Sequence, residues 1–155
     1  MHLPDGSTEV VPDPPVADQP EVRTKPDPAR TDSIPGIPDE AITRRMPLGT
    51  FVHARSGDKG GDANVGLWVR AGDRADERAQ WLRQLVTVDR VRRLVPEAAE
   101  LDVEVFALPN LRGVNVLVHG LLGDGVAAST RFDPQAKALG VWLRSRLVSI
   151  PEELL

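Results

Sequence analysis

The chain contains no cysteine. That removes disulfides, zinc–thiolate centres and thiol nucleophiles together. Tyrosine is absent too, and aromatic residues are 4% of the 155 positions, so the core must rest on Val, Leu and Ala. No run approaches the roughly 20 apolar residues of a membrane-spanning helix. Lysine is scarce, at 3 against 16 arginines. The net charge of −4 lacks the basic surplus of a general nucleic-acid binder. The start of the chain is polar and Pro-rich, not a charged run followed by an apolar one, and so does not read as a secretory signal. These absences predict a cytoplasmic protein with neither membrane nor nucleic acid as its partner.

Apolar residues reach 41%, which suits one globular domain with a real core. The chain divides near position 47. Ten of the 14 prolines fall at or before Pro47, and acidic residues outnumber basic ones 9 to 5 over residues 1–45. Val11-Pro12-Asp13-Pro14-Pro15 and Lys25-Pro26-Asp27-Pro28 support neither a helix nor a central strand. They bury too little apolar surface to offset the entropy of ordering. Residues 1–46 are therefore expected to form a disordered, acidic tail of local polyproline character, and residues 47–155 the domain.

Within the domain, residues 48–54 read as a strand centred on Phe51 and Val52. Residues 55–63 read as a polar, glycine-rich loop, and 64–70 as the returning strand. Trp81, Leu82, Leu85, Val88, Val91 and Leu94 recur at helical intervals over 74–94, with Thr87 and Asp89 marking a break and a cap. Residues 101–108 alternate as a half-buried strand. Residues 111–122 fit either period; the helical stripe, capped by Asn110 and stopped by Gly123, is slightly favoured over the Val114, Val116, Val118 alternation. A strand over 126–132 and a helix from Asp133-Pro134 to about Val148 complete the order. The fold class predicted is α+β: a two-layer sandwich of four strands and two main helices. Its ββαββα order is a circular permutation of the ferredoxin-like βαββαβ.

Chemistry concentrates in two segments. The first, from His53 to Asn64, holds Arg55, Ser56, Asp58, Lys59, Gly60, Asp62 and Asn64. Its glycines allow close approach of backbone to a ligand, and its two cations suit a phosphate or carboxylate. It matches neither G-x-x-x-x-G-K-[ST] nor G-x-G-x-x-G, and a hairpin loop held by its own Asp–backbone bonds explains it equally. Asp58, Asp62 and Asn64 lack the EF-hand pattern, and His53 with His119 would need a third ligand, such as Asp62, that nothing in the spacing demands; no metal and no cofactor is expected. The second segment holds Asn110, Asn115 and His119. On a helix, Asn115 and His119 would share a face, and His119 is the one candidate acid or base near neutral pH.

These same segments carry a resemblance. Pro47-Leu48-Gly49, then His53-Ala54-Arg55-Ser56-Gly57-Asp58-Lys59-Gly60, then Asp62-Ala63-Asn64-Val65-Gly66 are followed by Leu108-Pro109-Asn110-Leu111, Val114-Asn115, His119-Gly120 and Gly123-Asp124-Gly125. In order and spacing they resemble the ferredoxin-fold domain of the acyclic terpene utilisation AtuA family, over roughly residues 47–148. In that family the domain usually follows a much larger N-terminal domain, and members are associated with catabolism of acyclic terpenes beside acyl-CoA carboxylases. The resemblance implies a small subunit or accessory domain that contributes its glycine-rich segment to a shared site. Its partner would be a separately encoded large AtuA-like subunit, with a homo-oligomer also open to it. The alternative is an independent small enzyme or binding module for an anionic, CoA-linked acyl ligand, held by Arg55 and Lys59 with His119 as acid or base.

Overall fold

In the computed structural model, residues 6–8, 10 and 41–155 are described. Six strands and three α-helices follow in chain order: β1 (Thr43–Pro47), β2 (Val52–Lys59), β3 (Asp62–Val69), α1 (Ala75–Leu85), α2 (Val88–Leu94), β4 (Val103–Leu108), β5 (Gly113–Val118), α3 (Leu139–Ser145) and β6 (Leu147–Pro151). Four strands form one antiparallel sheet in the order β2-β3-β5-β4. Joining the ends of a ferredoxin-like chain and reopening it before its last strand yields this order, so the expected α+β class and its permutation both hold. A second, two-stranded sheet pairs β1 with β6.

Strand alternation sets the layers. On β3, Ala63, Val65, Leu67 and Val69 are buried, while Asp62, Asn64, Gly66 and Trp68 between them are half-exposed. Val114, Val116 and Val118 of β5 continue the buried stripe. All three helices pack on that side. On α1, Ala75, Ala79 and Leu82 recur at four- and three-residue steps, and Trp81 is buried beside them. Asp76 and Glu77 sit in its first turn, where the helix dipole favours negative charge. Thr87 separates α1 from α2 and caps α2, its hydroxyl accepting the Arg90 N–H at 3.2 Å. Leu48 and Leu82 are wholly buried, and each contributes about 1.5–3 kcal/mol of hydrophobic stabilisation.

Several elements differ from expectation, each for a physical reason. The domain starts earlier than position 47, because Thr43–Pro47 pairs with β6 and Arg44 bridges to Glu152 at 2.8 Å. The tail predicted over 1–46 otherwise lies largely outside the described residues. Leu48–Thr50 is a short 3-10 turn rather than strand. Residues 55–63 are not a loop: β2 runs through to Lys59 and turns back in the two residues Gly60 and Gly61. Gly60 there takes φ 66°, the positive φ that the first central position of a type II′ hairpin turn requires.

Residues 111–122 contain β5, not a helix. Arg112, at φ 49°, breaks any helix before Gly113, and the Val114, Val116, Val118 period wins because it completes the buried face of the sheet. No strand forms over 126–132. Val126 and Phe132 both project into solvent, and the backbone there closes on itself, as in Ala128 N–H to Gly125 O at 3.2 Å. The last helix ends at Ser145, because Leu147, Val148, Ser149 and Ile150 alternate exposed and buried as strand β6. Asp133 does cap, but it caps the turn before α3, its two carboxylate oxygens accepting the Lys137 and Ala138 N–H groups at 2.9 Å each.

Among the described residues, no helix is long and apolar enough to cross a membrane.

Candidate functional site

The four-stranded sheet has helices on one face. No described element covers the other, which carries most of the chemistry. Its strand register arranges the outward residues in four rows. The first crosses His53, Trp68, Gly113 and Leu108; the second Arg55, Gly66, Asn115 and Phe106; the third Gly57, Asn64, Leu117 and Glu104. The fourth brings Lys59 and Asp62 beside His119 and Asp102 at the sheet's end. Two-residue periodicity alone puts Arg55, Lys59, Asp62, Asn64, Asn115 and His119 on this one face. Asn115 and His119 share it because they are an even number of residues apart along an extended segment, not because they lie on a helix.

Two polar arrangements are built there. Asn64 donates its side-chain N–H to the Asn115 side-chain oxygen at 2.9 Å. This tie between neighbouring strands leaves the Asn64 side-chain carbonyl and both Asn115 side-chain N–H groups for a further partner. At the end of the sheet, His119 lies between two carboxylates, with Nδ1 3.1 Å from Asp62 Oδ2 and Nε2 2.7 Å from Glu104 Oε1. The Gly120 N–H donates to the other Asp62 oxygen at 2.8 Å. A neutral imidazole has one N–H and can serve only one of these carboxylates; the imidazolium serves both. The His119 pKa is accordingly raised, chiefly by the Glu104 hydrogen bond; burial is the next effect and opposes it, and Asp62 adds to the rise. That of Asp62 is lowered, chiefly by the Gly120 N–H and secondarily by His119. Both ring nitrogens are engaged, so acid or base work by His119 requires one of these bonds to give way.

At the opposite end, His53 stacks on Trp68 with ring centroids 5.9 Å apart. Partial burial lowers its pKa, helped by Arg70 and Arg144. His53 and His119 are separated by the length of the sheet, roughly 20 Å at about 3.4 Å per strand residue, and so share no ligand. Among the described residues no group of three or more His, Asp or Glu side chains is disposed to hold a metal ion. Asp58 pairs with Ala63 and so lies on the helix side of the sheet, apart from Asp62 and Asn64.

The remaining candidates go elsewhere. Ser56 faces α3: its hydroxyl accepts the Gly140 N–H at 2.8 Å and donates to the Lys137 carbonyl at 3.2 Å. It fastens α3 to the edge strand β2. Ala54, Arg55, Ser56, Lys137, Gly140 and Val141 line a cleft of about 260 Å³ there. Gly60 serves the hairpin turn. Asn110 lies in the 3-10 turn Pro109–Leu111, at the far end of β5 from His119. The sequence reading missed Glu104, Trp68, Phe106 and Leu117. The acidic alternation of β4 marked Glu104 as outward-facing, but only the fold sets it against His119. A larger apolar cavity of about 450 Å³ lies on the helix side, walled by Leu121, Leu122, Ala136, Leu139 and Trp142.

The residues gathered on the open face fall in the blocks that carry the sequence resemblance, and the chain matches the AtuA ferredoxin-like domain over residues 46–149. The chain belongs to that family. The AtuA ferredoxin-like domain here begins within β1 and ends within β6, so the match takes in the whole four-stranded sheet and its helices. No match was found among curated proteins or among solved structures.

Proposed function

We propose that this AtuA ferredoxin-like domain acts as an accessory subunit in catabolism of acyclic terpenes and related acyl-CoA compounds, and that its open sheet face is one wall of a site completed by a second protein surface. One observation carries this reading. Arg55, Lys59, Asp62, Asn64, Asn115 and His119 converge on one sheet face that no described element covers, whereas ligand sites ordinarily enclose most of their ligand. An open wall with unpaired amide groups becomes a site when something is laid against it. The second surface can come from a separately encoded larger AtuA-like subunit or from another copy of the chain.

The test is assembly. The full chain, tagged and expressed in its native host, is expected to be recovered with a larger AtuA-like chain or with untagged copies of itself. Arg55→Ala and Lys59→Ala should keep the wild-type melting temperature and lose that assembly. An isolated monomer that turns over an acyl-CoA with no partner would overturn the reading.

A second reading has its own observation. The Arg55, Ser56, Lys137 and Gly140 cleft presents two cations beside the edge strand, a fit for the anionic head of an acyl or CoA-linked ligand. Under it, acyl-CoAs should raise the melting temperature of the isolated chain, and Lys137→Ala should abolish the rise.

A further inference from the structure

We propose that the surface closing the open sheet face is a second copy of this chain, packed face to face about a two-fold axis that runs parallel to the strands between β3 and β5. The inference rests on the reading of that face as the wall of a composite site, and it names what completes the wall.

The argument is self-complementarity. A two-fold interface sets one patch against itself, so each residue must suit the residue that the axis brings to it. With the axis along the strands, β2 of one copy lies over β4 of the other, and β3 over β5, row upon row. Lys59 then meets Asp102 of the second copy, and the Asp62–His119 pairs, each already closed within its own chain, lie one over the other. Arg55 lies over Phe106, an arrangement that suits a guanidinium on a ring face. Relief matches as well as charge. Two glycines of the face, Gly57 and Gly66, fall opposite Glu104 and Asn115 respectively, so that each of these side chains of one copy finds a shallow place on the other.

The competing two-fold axis, perpendicular to the strands, sets β2 on β2. It reverses the rows, so that His53 of one copy lies over Lys59 of the other, and it sets Asp102 and Glu104 over Leu108 and Phe106, where no cation answers them. Charge therefore selects the first axis. Neither Arg55 nor Lys59 makes an ion pair among the described residues, so both are available to a partner. The face measures roughly 20 Å by 20 Å from the strand spacing and the residue rise. With its relief and the flanking β2 and β4 edges it is on the scale of the roughly 800 Å² that each partner contributes to a standard interface. Trp68, Phe106 and Leu117 supply apolar area to the face, and Arg55, Lys59 and Asp102 lie along its edges.

Sedimentation of the full chain over a range of concentrations tests this. The wild type is expected to be a dimer at micromolar concentration. Lys59→Glu and Asp102→Lys should each lose the dimer, and the double variant Lys59→Glu/Asp102→Lys should regain it. Within one chain these two residues sit on opposite edges of the sheet, so the swap restores a contact only between copies. Gly66→Val gives a second, steric arm. A Cβ at Gly66 meets only the Arg55 carbonyl oxygen at 3.8 Å, so the single chain tolerates it with an unchanged far-ultraviolet spectrum, while the wedge against Asn115 of the other copy should abolish dimerisation. A wild-type chain that is monomeric throughout would overturn the proposal. So would a dimer that survives both Lys59→Glu and Gly66→Val, which would place the contact elsewhere. A monomer that captures a larger AtuA-like chain through this face, and loses it in Gly66→Val, overturns the proposal while leaving the composite-site reading in place. Absence of any assembly removes both.

Discussion

Replacing Trp81 by Ala should destabilise the domain by about 3–5 kcal/mol, the cost of large-to-small aromatic changes in a close-packed core. The side chain is 3% exposed on the inner side of α1. Its ring meets Phe51 edge-on, with centroids 5.2 Å apart and planes at 64°, and that pairing is about 0.5–1.5 kcal/mol of the total. Phe51 is held on another side by the Arg78 guanidinium, 4.9 Å from the ring centroid, so it is poorly placed to fill the vacated space. Trp142 provides the internal comparison. It is only partly buried, it lines the apolar cavity, and the Arg146 guanidinium covers its ring at 3.5 Å. Trp142→Ala should therefore cost less, about 1–2 kcal/mol at the usual rate per area of apolar surface. Since whole-domain stabilities run at about 5–15 kcal/mol, Trp81→Ala should leave a marginal fold. Urea unfolding followed by far-ultraviolet circular dichroism reads both variants against wild type. A Trp81→Ala loss below about 1 kcal/mol, or a larger loss for Trp142→Ala, would refute the assignment of α1's inner face.

Three further outcomes follow from named contacts. The Asp62–His119–Glu104 cluster contributes stability on a defined pH window. Asp62, lowered from 3.8, contributes fully above that value and loses its contribution as pH falls through the lowered pKa; His119, raised from 6.5, contributes fully below that value and loses it as pH rises through the raised pKa. The stability deficit of His119→Gln relative to wild type should thus be largest between those two reference values and shrink on going alkaline; a deficit independent of pH would count against the imidazolium. Ser56→Ala should cost about 1–3 kcal/mol in chemical denaturation, because it strands the part-buried Gly140 N–H, and Ser56→Thr should recover part of it. Gly61→Ala should be more damaging than a change at an ordinary turn glycine, because its Cβ would lie 2.3 Å from the Gly123 carbonyl oxygen, where the 120–125 turn docks on the hairpin through Leu122 N–H to Gly61 O at 2.8 Å; a melting temperature equal to wild type would contradict that close approach.

Local chemistry made the helical layer legible in the sequence. The apolar stripe of α1 and α2, and Thr87 as the break between them, depend on neighbours within a few residues. The strand over 103–108 was legible for the same reason. What failed depended on partners far along the chain. Ser56, Gly57, Asp58 and Lys59 are poor strand formers by propensity, yet they extend β2 because β3 offers eight paired positions and a turn of two glycines. Residues 114–118 satisfied both the helical and the strand period; the choice was made by Val65 and Val105, which β5 joins from either side. Leu147 to Ile150 looked like the end of a helix until β1, contributed from before position 47, gave them a partner.

The candidate site was legible in composition and not in geometry. Arg55, Lys59, Asp62, Asn64, Asn115 and His119 do lie together, through strand parity. Ser56 and Asp58, interleaved with them, necessarily face the helices. Asn110 is at the wrong end of β5. The partner that defines the state of His119, Glu104, lies 15 residues away in sequence and carried no motif of its own.

The central claim is that the polar sheet face is covered in the working protein. The absence of cysteine permits a direct measurement: a single engineered thiol, Leu117→Cys at the middle of the face, with Gln80→Cys on the exposed side of α1 as control, each titrated with a small thiol reagent in the full chain. Rates would be taken on dilute protein, on concentrated protein and in extract of the native host. The account predicts that the thiol at 117 reacts readily in dilute solution and severalfold more slowly once the chain is assembled, while the control is unaffected. Equal and rapid reaction at both positions under all three conditions would contradict it.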